Sequence, residues 1–403
     1  MTRPPNFKPH HLKRRTVMGG LASLPLLPAL PRAASAQALP RFEGPNVIII
    51  RFGGGVRRQE VLERETTYAP WFANELMPTG TLYDNMRIGQ VGQDEAVAGH
   101  GHGTLYILTG KYHAYEDIGK QAFSSRFEAV APTLFELLRA RYDIPAHQAM
   151  IVNGEDRVQE EFYSFSNHHL FGVNYRSEVL SLFRYKAWLL KKQIDAGDAA
   201  LKDMSLEEAT RKLAEMESLD YRKIKGEALG QAPQINRFWE VWRSYYGESG
   251  LVNERGDRLL ADLAIKAMRA LRPRLMMVNF NDPDYVHWGM THHYTRGISI
   301  IDQCLRNIHT EMRQNPFYRD NTIFVVVPDC GRDSNPLMRV PMQHHFNTAS
   351  SRQIFCLLTG PGVAAGQRIS RSVEQTEIAG TIGALMGFEA PQADRNSLHE
   401  AIA

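Results

Sequence analysis

The sequence predicts an α/β protein with a doubly wound, mostly parallel sheet, helices on both of its faces and a helical insertion. Three observations predict this fold class. Short apolar, often β-branched runs recur along the chain, as in strands that are covered on both faces. Amphipathic helical patterns lie between these runs. Polar clusters follow several of the runs, and open α/β sheets bind ligands at strand ends.

The first 36 residues are predicted to be an export signal. Basic residues, among them Arg14 and Arg15, precede a weakly apolar stretch, and small residues at 34–36 end it. The arginine pair resembles a twin-arginine signal, with an ordinary secretory signal as the alternative. The mature chain is therefore expected to start near Gln37 and to act in a periplasm or outside the cell.

Charge and cysteine content limit the function classes. The sequence has 47 basic and 44 acidic side chains, but residues 1–36 hold six of the basic ones and no acid, so the mature chain is near −3. This balance gives no electrostatic reason to expect nucleic acid or an anionic membrane as a partner. No apolar stretch is long enough to predict a membrane-spanning helix. The cysteines predict no disulfide framework, and Cys304 and Cys356 fit buried thiols.

The domain of residues 37–403 contains strand and helix patterns in alternation. Buried strands are predicted at 46–50, 149–152, 275–280, 322–327 and 354–358. Helices are predicted from Pro132 onward, in the first turn of its helix, and over 255–271 and 296–313. The stretch of about 176–250 is rich in Lys, Glu, Leu and Ala and shows no convincing strand. We interpret it as a helical insertion or cap that shapes a substrate entrance; a solvated helical excursion without a function is the alternative.

Three polar clusters carry residue types that bind metals. One follows the strand predicted at 275–280, one follows 322–327, and one precedes 354–358. Carboxylates, imidazoles and thiolates are ligands of zinc. Taken singly, such residues are more often turn, cap or surface groups. The candidate metal ligands are Asp284, His287, Asp329, Cys330, His344 and His345.

The order of these motifs resembles the alkaline phosphatase superfamily, which includes sulfatases, nucleotide pyrophosphatases and phosphonate hydrolases. Its members show a strand into Asp-Gly, a nucleophile upstream of Leu-Thr-Gly, an Asp…His loop, a strand into Asp-His-Gly, and a final His before Gly-Pro-Gly. The resemblance covers residues 46–363 and implies an alkaline-phosphatase-like fold. The matching segments are Gly53-Gly54, Leu108-Thr109-Gly110, Asp284…His287, Asp329-Cys330-Gly331, and His344 or His345 before Gly360-Pro361-Gly362.

The resemblance implies two metal positions that are unequally preserved. One retains its carboxylate, Asp284, and its imidazoles, His287 and one of His344 or His345, which implies about one zinc-like ion per chain. The other metal, which activates the nucleophile in the family, falls to Asp329, Cys330 and Gly53. Because glycine has no side-chain ligand, this second site is expected to be compromised.

The nucleophile position falls near His100, in a Gly-His-Gly-His-Gly run where a hydroxyl or thiol is expected. Thr104 is the nearest hydroxyl and is off register. We interpret the run as a flexible loop in which His100 and His102 supply replacement ligands or a general base; solvated histidines are the alternative. Arginines that can orient an oxyanion substrate are Arg51, Arg57, Arg58 and Arg332.

Two functions fit this pattern. The first is a metal-dependent hydrolase of a small-molecule phosphate or sulfate ester, in which one metal activates water without a covalent intermediate. The second is a catalytically inactive relative that binds a metal or ligand, or serves a structural role in an exported assembly. A redox protein has little support, because no haem-attachment or iron–sulfur cysteine spacing is present.

Overall fold

A computed structural model gives the fold of the chain. It describes residues 38–89, 96–113, 115–117, 127–154, 163–197, 200–201, 204–218, 232–247, 256–287, 291–333, 343–344, 346–393 and 398–402. Leu39–Ala403 form one compact unit. The predicted export signal, residues 1–36, lies outside the described residues, and so does His345.

Most of the strands among the described residues form one large sheet. The strands are β1 (Asn46–Phe52), β2 (Thr81–Arg87), β3 (Tyr115–Asp117), β4 (Phe127–Ala129), β5 (Ala149–Asn153), β6 (Glu178–Leu180), β7 (Leu275–Asn279), β8 (Thr322–Pro328), β9 (Gln353–Thr359), β10 (Gln367–Ile369) and β11 (Val373–Glu374). Their order in the sheet is β10-β2-β9-β8-β1-β7-β5-β6, with β11 beside β2. Strands β8, β1, β7, β5 and β6 are parallel to one another. Strands β3 and β4 pair separately.

Helices cover both faces of this sheet. The described α-helices are α1 (His100–Thr109), α2 (Leu134–Arg141), α3 (Leu182–Ala196), α4 (Leu206–Ser218), α5 (Pro233–Tyr246), α6 (Asp257–Leu271), α7 (Thr291–Gln314) and α8 (Glu377–Met386). Within β1, Ile48 and Ile50 point into a core shared with α6 and α7. Val47 and Ile49 point into a second core with α1, α2 and α8. The predicted doubly wound α/β fold class is therefore confirmed.

Several local predictions need correction. The five predicted strands are present, but β9 runs antiparallel to both β8 and β2. The prediction of no strand in 176–250 is wrong, because β6 pairs with β5 at the end of the sheet. Pro132 precedes its helix instead of lying in the first turn. Helix α2 begins after Thr133, which forms a capping box with Glu136.

Two whole-chain predictions concern membranes and thiols. None of the helices in the described part of the chain combines the length and hydropathy needed to cross a bilayer. Cys304 in α7 and Cys356 in β9 are buried free thiols, as predicted.

Candidate metal centre

The candidate site lies where three neighbouring strands end. Strands β8, β1 and β7 are adjacent and parallel, so the segments that follow them meet at one edge of the sheet. The segment after β7 enters a 3-10 turn at Asp282–Tyr285, which places Asp284 and His287 on one side of the turn. The segment after β8 begins with the buried Asp329. Helix α1 starts at His100 and faces both segments.

The run predicted as a flexible loop is the first part of α1. The helix starts at His100, after Gly99 in an extended conformation. A Cβ at Gly103 would lie 1.8 Å from the carbonyl oxygen of Asp329, so only glycine allows the helix to approach the end of β8 this closely. The close approach holds the His100 side chain against the candidate ligands. The expectation of a flexible loop is therefore wrong.

Three imidazoles surround the carboxylate of Asp284. Its Oδ1 atom lies 2.7 Å from Nε2 of His100, 2.9 Å from Nε2 of His287 and 3.4 Å from Nε2 of His344. The Nε2 atoms of His100 and His344 are 3.0 Å apart. His344 is buried, whereas the side chains of Asp284 and His287 are each 20 % exposed and that of His100 is 13 % exposed. Solvent therefore reaches the cluster from the side of Asp284, His287 and His100.

This donor set fits a zinc-like ion. His100, Asp284 and His344 form a group of potential ligands whose donor atoms lie within 4.8 Å of one another. Ligand atoms bonded to a tetrahedral zinc at ~2.0–2.1 Å are about 3.4 Å apart. The contacts of Asp284 Oδ1 with the three imidazoles, at 2.7–3.4 Å, require only a small outward shift to reach this spacing. One carboxylate with imidazole nitrogens is also the chemistry that zinc prefers.

Asp329 orients the imidazole of His100. Its Oδ2 atom accepts a hydrogen bond from Nδ1 of His100 at 2.7 Å. The Nε2 atom is thereby directed at Asp284, as when a carboxylate orients a metal-ligating histidine. Burial alone would lower the pKa of His100, but the carboxylates of Asp284 and Asp329 raise that pKa well above its usual value. Without a metal, the imidazole therefore carries a proton on both nitrogens, with Nδ1 held by Asp329 and Nε2 directed at Asp284.

Gln343 holds His287 in the same way. Its Oε1 atom lies 3.0 Å from Nδ1 of His287, and its Nε2 atom donates to the carbonyl of His287 at 2.9 Å. Gln343 is itself buried. No role for Gln343 was predicted from the sequence; its position directly before His344 was the only signal that pointed to it.

A second group of potential ligands consists of His100, Asp329 and Cys330. Sγ of Cys330 is 3.8 Å from Nδ1 of His100. Burial and the charge of Asp329 raise the pKa of the Cys330 thiol to about 11, so the thiol is protonated at neutral pH. Oδ1 of Asp329 already accepts backbone N–H groups from Cys330 and Gly55. This group is therefore a poorer cation site than the one around Asp284.

Thr104 and His102, the other two residues predicted for the catalytic site, both lie in α1. Thr104 is fully buried in α1; its hydroxyl donates to the carbonyl of His100 at 2.8 Å and accepts from Arg51 at 2.9 Å. The ring of His102 is half-buried and lies 6.4 Å from that of Tyr106, centroid to centroid.

The four arginines that were predicted to orient an oxyanion substrate have partners within the protein. Arg332 is fully buried and donates to backbone carbonyls of the segments after β1 and β7, including Gly55 at 2.9 Å and Pro283 at 2.9 Å. Arg51 is fully buried as well. Arg57 pairs with Glu60, and Arg58 donates to the carbonyl of Asp84. Arg57, Arg58 and Arg332 line a polar cleft of about 480 Å³.

Comparisons with known proteins support the fold. No protein-family model matches the chain. No curated protein matches it either. Among solved structures, a mutant of the alkaline phosphatase PafA superposes with a TM-score of 0.55 at 11 % identity, over 91 % of this chain and 100 % of that one.

Two sulfatase structures are similar to this chain to nearly the same extent as the phosphatase. A candidate sulfatase from Bacteroides thetaiotaomicron has a TM-score of 0.53 at 11 % identity, over 88 % of this chain and 74 % of that one. A 2-O GAG sulfatase has a TM-score of 0.50 at 12 % identity, over 88 % and 73 %. At this level of identity the likeness shows the fold and not the activity. The chain therefore has the alkaline-phosphatase-like α/β fold that these phosphatase and sulfatase structures share.

Proposed function

We propose that this protein is an exported, metal-dependent hydrolase of phosphate or sulfate esters that uses one divalent ion, with zinc as the best fit. The observation that carries the proposal is the convergence of three imidazole Nε2 atoms on Oδ1 of Asp284. The fold supports it, because solved structures with the same architecture are phosphatases and sulfatases. Asp284, His287 and His344 are the proposed ligands, so His344 is preferred over His345.

His100 is the proposed proton-transfer residue. When bound, the ion supplies positive charge that stabilises the oxyanion of the ester. His100 Nε2 faces the ligand cluster, and its Nδ1 proton is held by Asp329. As water attacks the phosphorus or sulfur atom and the ester bond breaks, the protonated imidazole gives its Nε2 proton to the leaving oxygen. The buried hydroxyl of Thr104 supports direct hydrolysis without a threonine ester.

A specific observation favours a second candidate function. His100 Nε2 is 2.7 Å from Asp284 and 3.0 Å from His344, within reach of the same ion. Four protein ligands close a zinc site and leave no position for water or substrate. In that case the protein would be a catalytically inactive metal-binding member of an exported assembly.

Metal content and turnover separate these functions. The wild type should hold about one zinc per chain by elemental analysis, and His287→Ala and His344→Ala should each lose it. His293→Ala is the matched control, because that histidine is exposed and should change nothing. Phosphomonoester, phosphodiester and sulfate ester probes then measure hydrolysis. His100→Ala should keep the metal, because His100 is not a proposed ligand. Its kcat should fall by roughly 10²–10⁴-fold, the usual contribution of a general acid.

Two other results would count against the proposed hydrolase. Wild-type protein that is purified without chelators and contains no metal would contradict the proposal. The closed four-ligand site would be favoured by two results together: His100→Ala loses the metal, and the wild type hydrolyses none of the probes.

A further inference from the structure

Asp329 is paired with a permanent cation, the guanidinium of Arg51. Nη1 of Arg51 lies 3.3 Å from Oδ2 of Asp329 and donates to the hydroxyl of Thr104 at 2.9 Å. Nη2 donates to the carbonyl of Phe280 at 3.0 Å. Arg51 and Asp329 are both fully buried. The guanidinium is therefore fixed by partners from β8, α1 and the end of β7.

Gly53 leaves the room that this guanidinium occupies. A Cβ at position 53 would lie 1.9 Å from the carbonyl oxygen of Phe280 and 2.6 Å from Nη2 of Arg51. No side chain, and hence no carboxylate, fits at position 53, because the backbone oxygen of Phe280 and the guanidinium of Arg51 both lie there. The end of β1 therefore offers no anionic ligand and places a positive charge beside Asp329.

The acceptor capacity of Asp329 is also filled. Besides Arg51 and His100, its oxygens accept backbone N–H groups of Gly54 and Gly55 at 3.3 Å and of Cys330 at 2.7 Å. A divalent ion bound between His100, Asp329 and Cys330 would have to displace these contacts. It would also lie beside a buried guanidinium, where little solvent screens the repulsion between two cations.

We propose that the Arg51 guanidinium takes the place of a second metal ion. The centre then binds one divalent ion, on the Asp284 side of His100, and excludes a second ion from the group His100, Asp329 and Cys330. Arg51 acts as a positioning residue, because it fixes Asp329, which in turn fixes His100. The location of the single ion rests on the proposed function, but the exclusion of a second ion is a separate property.

Cobalt substitution tests this exclusion. Full-length wild type, Arg51→Gln and Arg51→Lys are dialysed against excess Co²⁺, and bound cobalt is counted and its absorption spectrum recorded. Gln keeps N–H donors for Asp329 and Thr104 but removes the charge. Wild type and Arg51→Lys should bind one ion. Arg51→Gln should bind a second ion and gain a thiolate-to-cobalt charge-transfer band from Cys330.

Two controls define the result. The double variant Arg51→Gln/Cys330→Ser should lack the charge-transfer band, which assigns the band to Cys330. Arg64→Ala removes an exposed arginine and should still bind one ion. Thermal melts establish that each variant is folded.

The outcomes separate this inference from the proposed function. Two ions in the wild type, or one ion and no new band in folded Arg51→Gln, overturn the inference. No ion in the wild type together with one ion and the band in Arg51→Gln contradicts the proposed centre at Asp284 but supports the exclusion by Arg51. If Arg51→Gln does not fold, Cys330→Asp replaces the protonated thiol of the second group with a carboxylate while Arg51 remains. One bound ion then supports the inference, and two bound ions overturn it.

Discussion

At the scale of single residues, His100 connects two carboxylates that lie on different segments. Its Nδ1 atom contacts Asp329 after β8, and its Nε2 atom contacts Asp284 after β7, each at 2.7 Å. Burial alone would raise the pKa of both carboxyls, but the adjacent imidazolium, helped at Asp329 by Arg51, holds their pKa values well below the usual range. The charges of the centre are therefore balanced before any metal arrives.

A different histidine should make the stability of the fold depend on pH. His309 in α7 is half-buried between Trp71 and Phe324. Burial, with some help from Arg313, lowers the pKa of His309 to about 4 from 6.5. The unfolded chain therefore binds the proton more tightly, so this stability is full above pH 6.5 and is lost as the pH falls toward 4. Allowing for solvent screening, we expect a loss of about 1–2 kcal/mol.

Urea unfolding of wild type and His309→Phe at pH 7.5 and 4.5 measures this effect. The loss of unfolding free energy on acidification should be smaller in the variant by about 1–2 kcal/mol. His309→Gln, an uncharged polar control, should behave like His309→Phe in its pH dependence. Equal pH dependence in the wild type and both variants would rule out His309 as the source.

At the scale of single residues, the sequence predicted which residues lie at the candidate site better than it predicted their contacts. The resemblance implied Asp284, His287 and one of His344 or His345 as ligands, and the structure places Asp284, His287 and His344 together. The contact of Gln343 with His287 depends on how two distant loops fold onto each other. The burial of Arg51 against Asp329 likewise depends on the pairing of β1 with β8. No local pattern encodes either contact.

At the scale of elements, α1 shows how glycines can serve packing in a helix. Glycine lowers helix propensity, which is why the run at 99–103 was predicted as a loop. In the structure Gly103 instead lets α1 touch the backbone of Asp329 at the end of β8. The packing of α1 in the second core outweighs the propensity cost.

Gly103→Ala should therefore disturb both stability and the metal centre. Its Cβ would lie 1.8 Å from a backbone oxygen that cannot move away easily, so α1 must shift and carry His100 with it. We expect a loss of about 1–3 kcal/mol in urea unfolding, as for an overpacked core, and weaker zinc binding by calorimetry. Gly99→Ala is the matched control, because its Cβ meets only the end of the His102 side chain at 3.2 Å. Unchanged zinc affinity in Gly103→Ala would contradict this role.

The elements that the sequence missed share a physical reason. Strand β6 has three residues, too few for a hydrophobic period to appear. Strand β2 mixes polar and apolar residues and lies between β9 and the short β10. The antiparallel direction of β9 is set by long-range pairing, which a buried apolar run does not reveal. The long apolar strands were predicted because burial on both faces constrains their composition directly.

At the scale of the whole molecule, one sheet separates two hydrophobic cores and presents the centre at one edge. Neighbouring residues of β1 alternate between the cores, so β1 is tied to helices on both sides. This central strand ends next to the candidate ligands and also supplies Arg51. Helices packed on both faces of the sheet therefore hold the candidate centre in position.

The proposed export of the chain can be tested in cells. The proposed signal carries Arg14 and Arg15, and the compact unit begins at Leu39, close to the expected start at Gln37. Replacing both arginines with lysine should block a twin-arginine route, because that route requires the arginine pair itself. We expect the double variant to keep its first 36 residues and to remain in the cytoplasm, by mass spectrometry of cell fractions. Lys8→Arg is the control; normal export of the double variant would indicate an ordinary secretory signal.

The fit between Arg51 and Gly53 also restricts how the protein can change by mutation. Gly53→Asp alone places a side chain where Phe280 and Arg51 already are. Loss of Arg51 alone leaves the buried Asp329 without its arginine. Both single changes are thus penalised, and the clash of a side chain at position 53 with the carbonyl oxygen of Phe280 remains even when Arg51 is exchanged as well. Selection for stability alone should therefore keep Arg51 and Gly53 in their present combination.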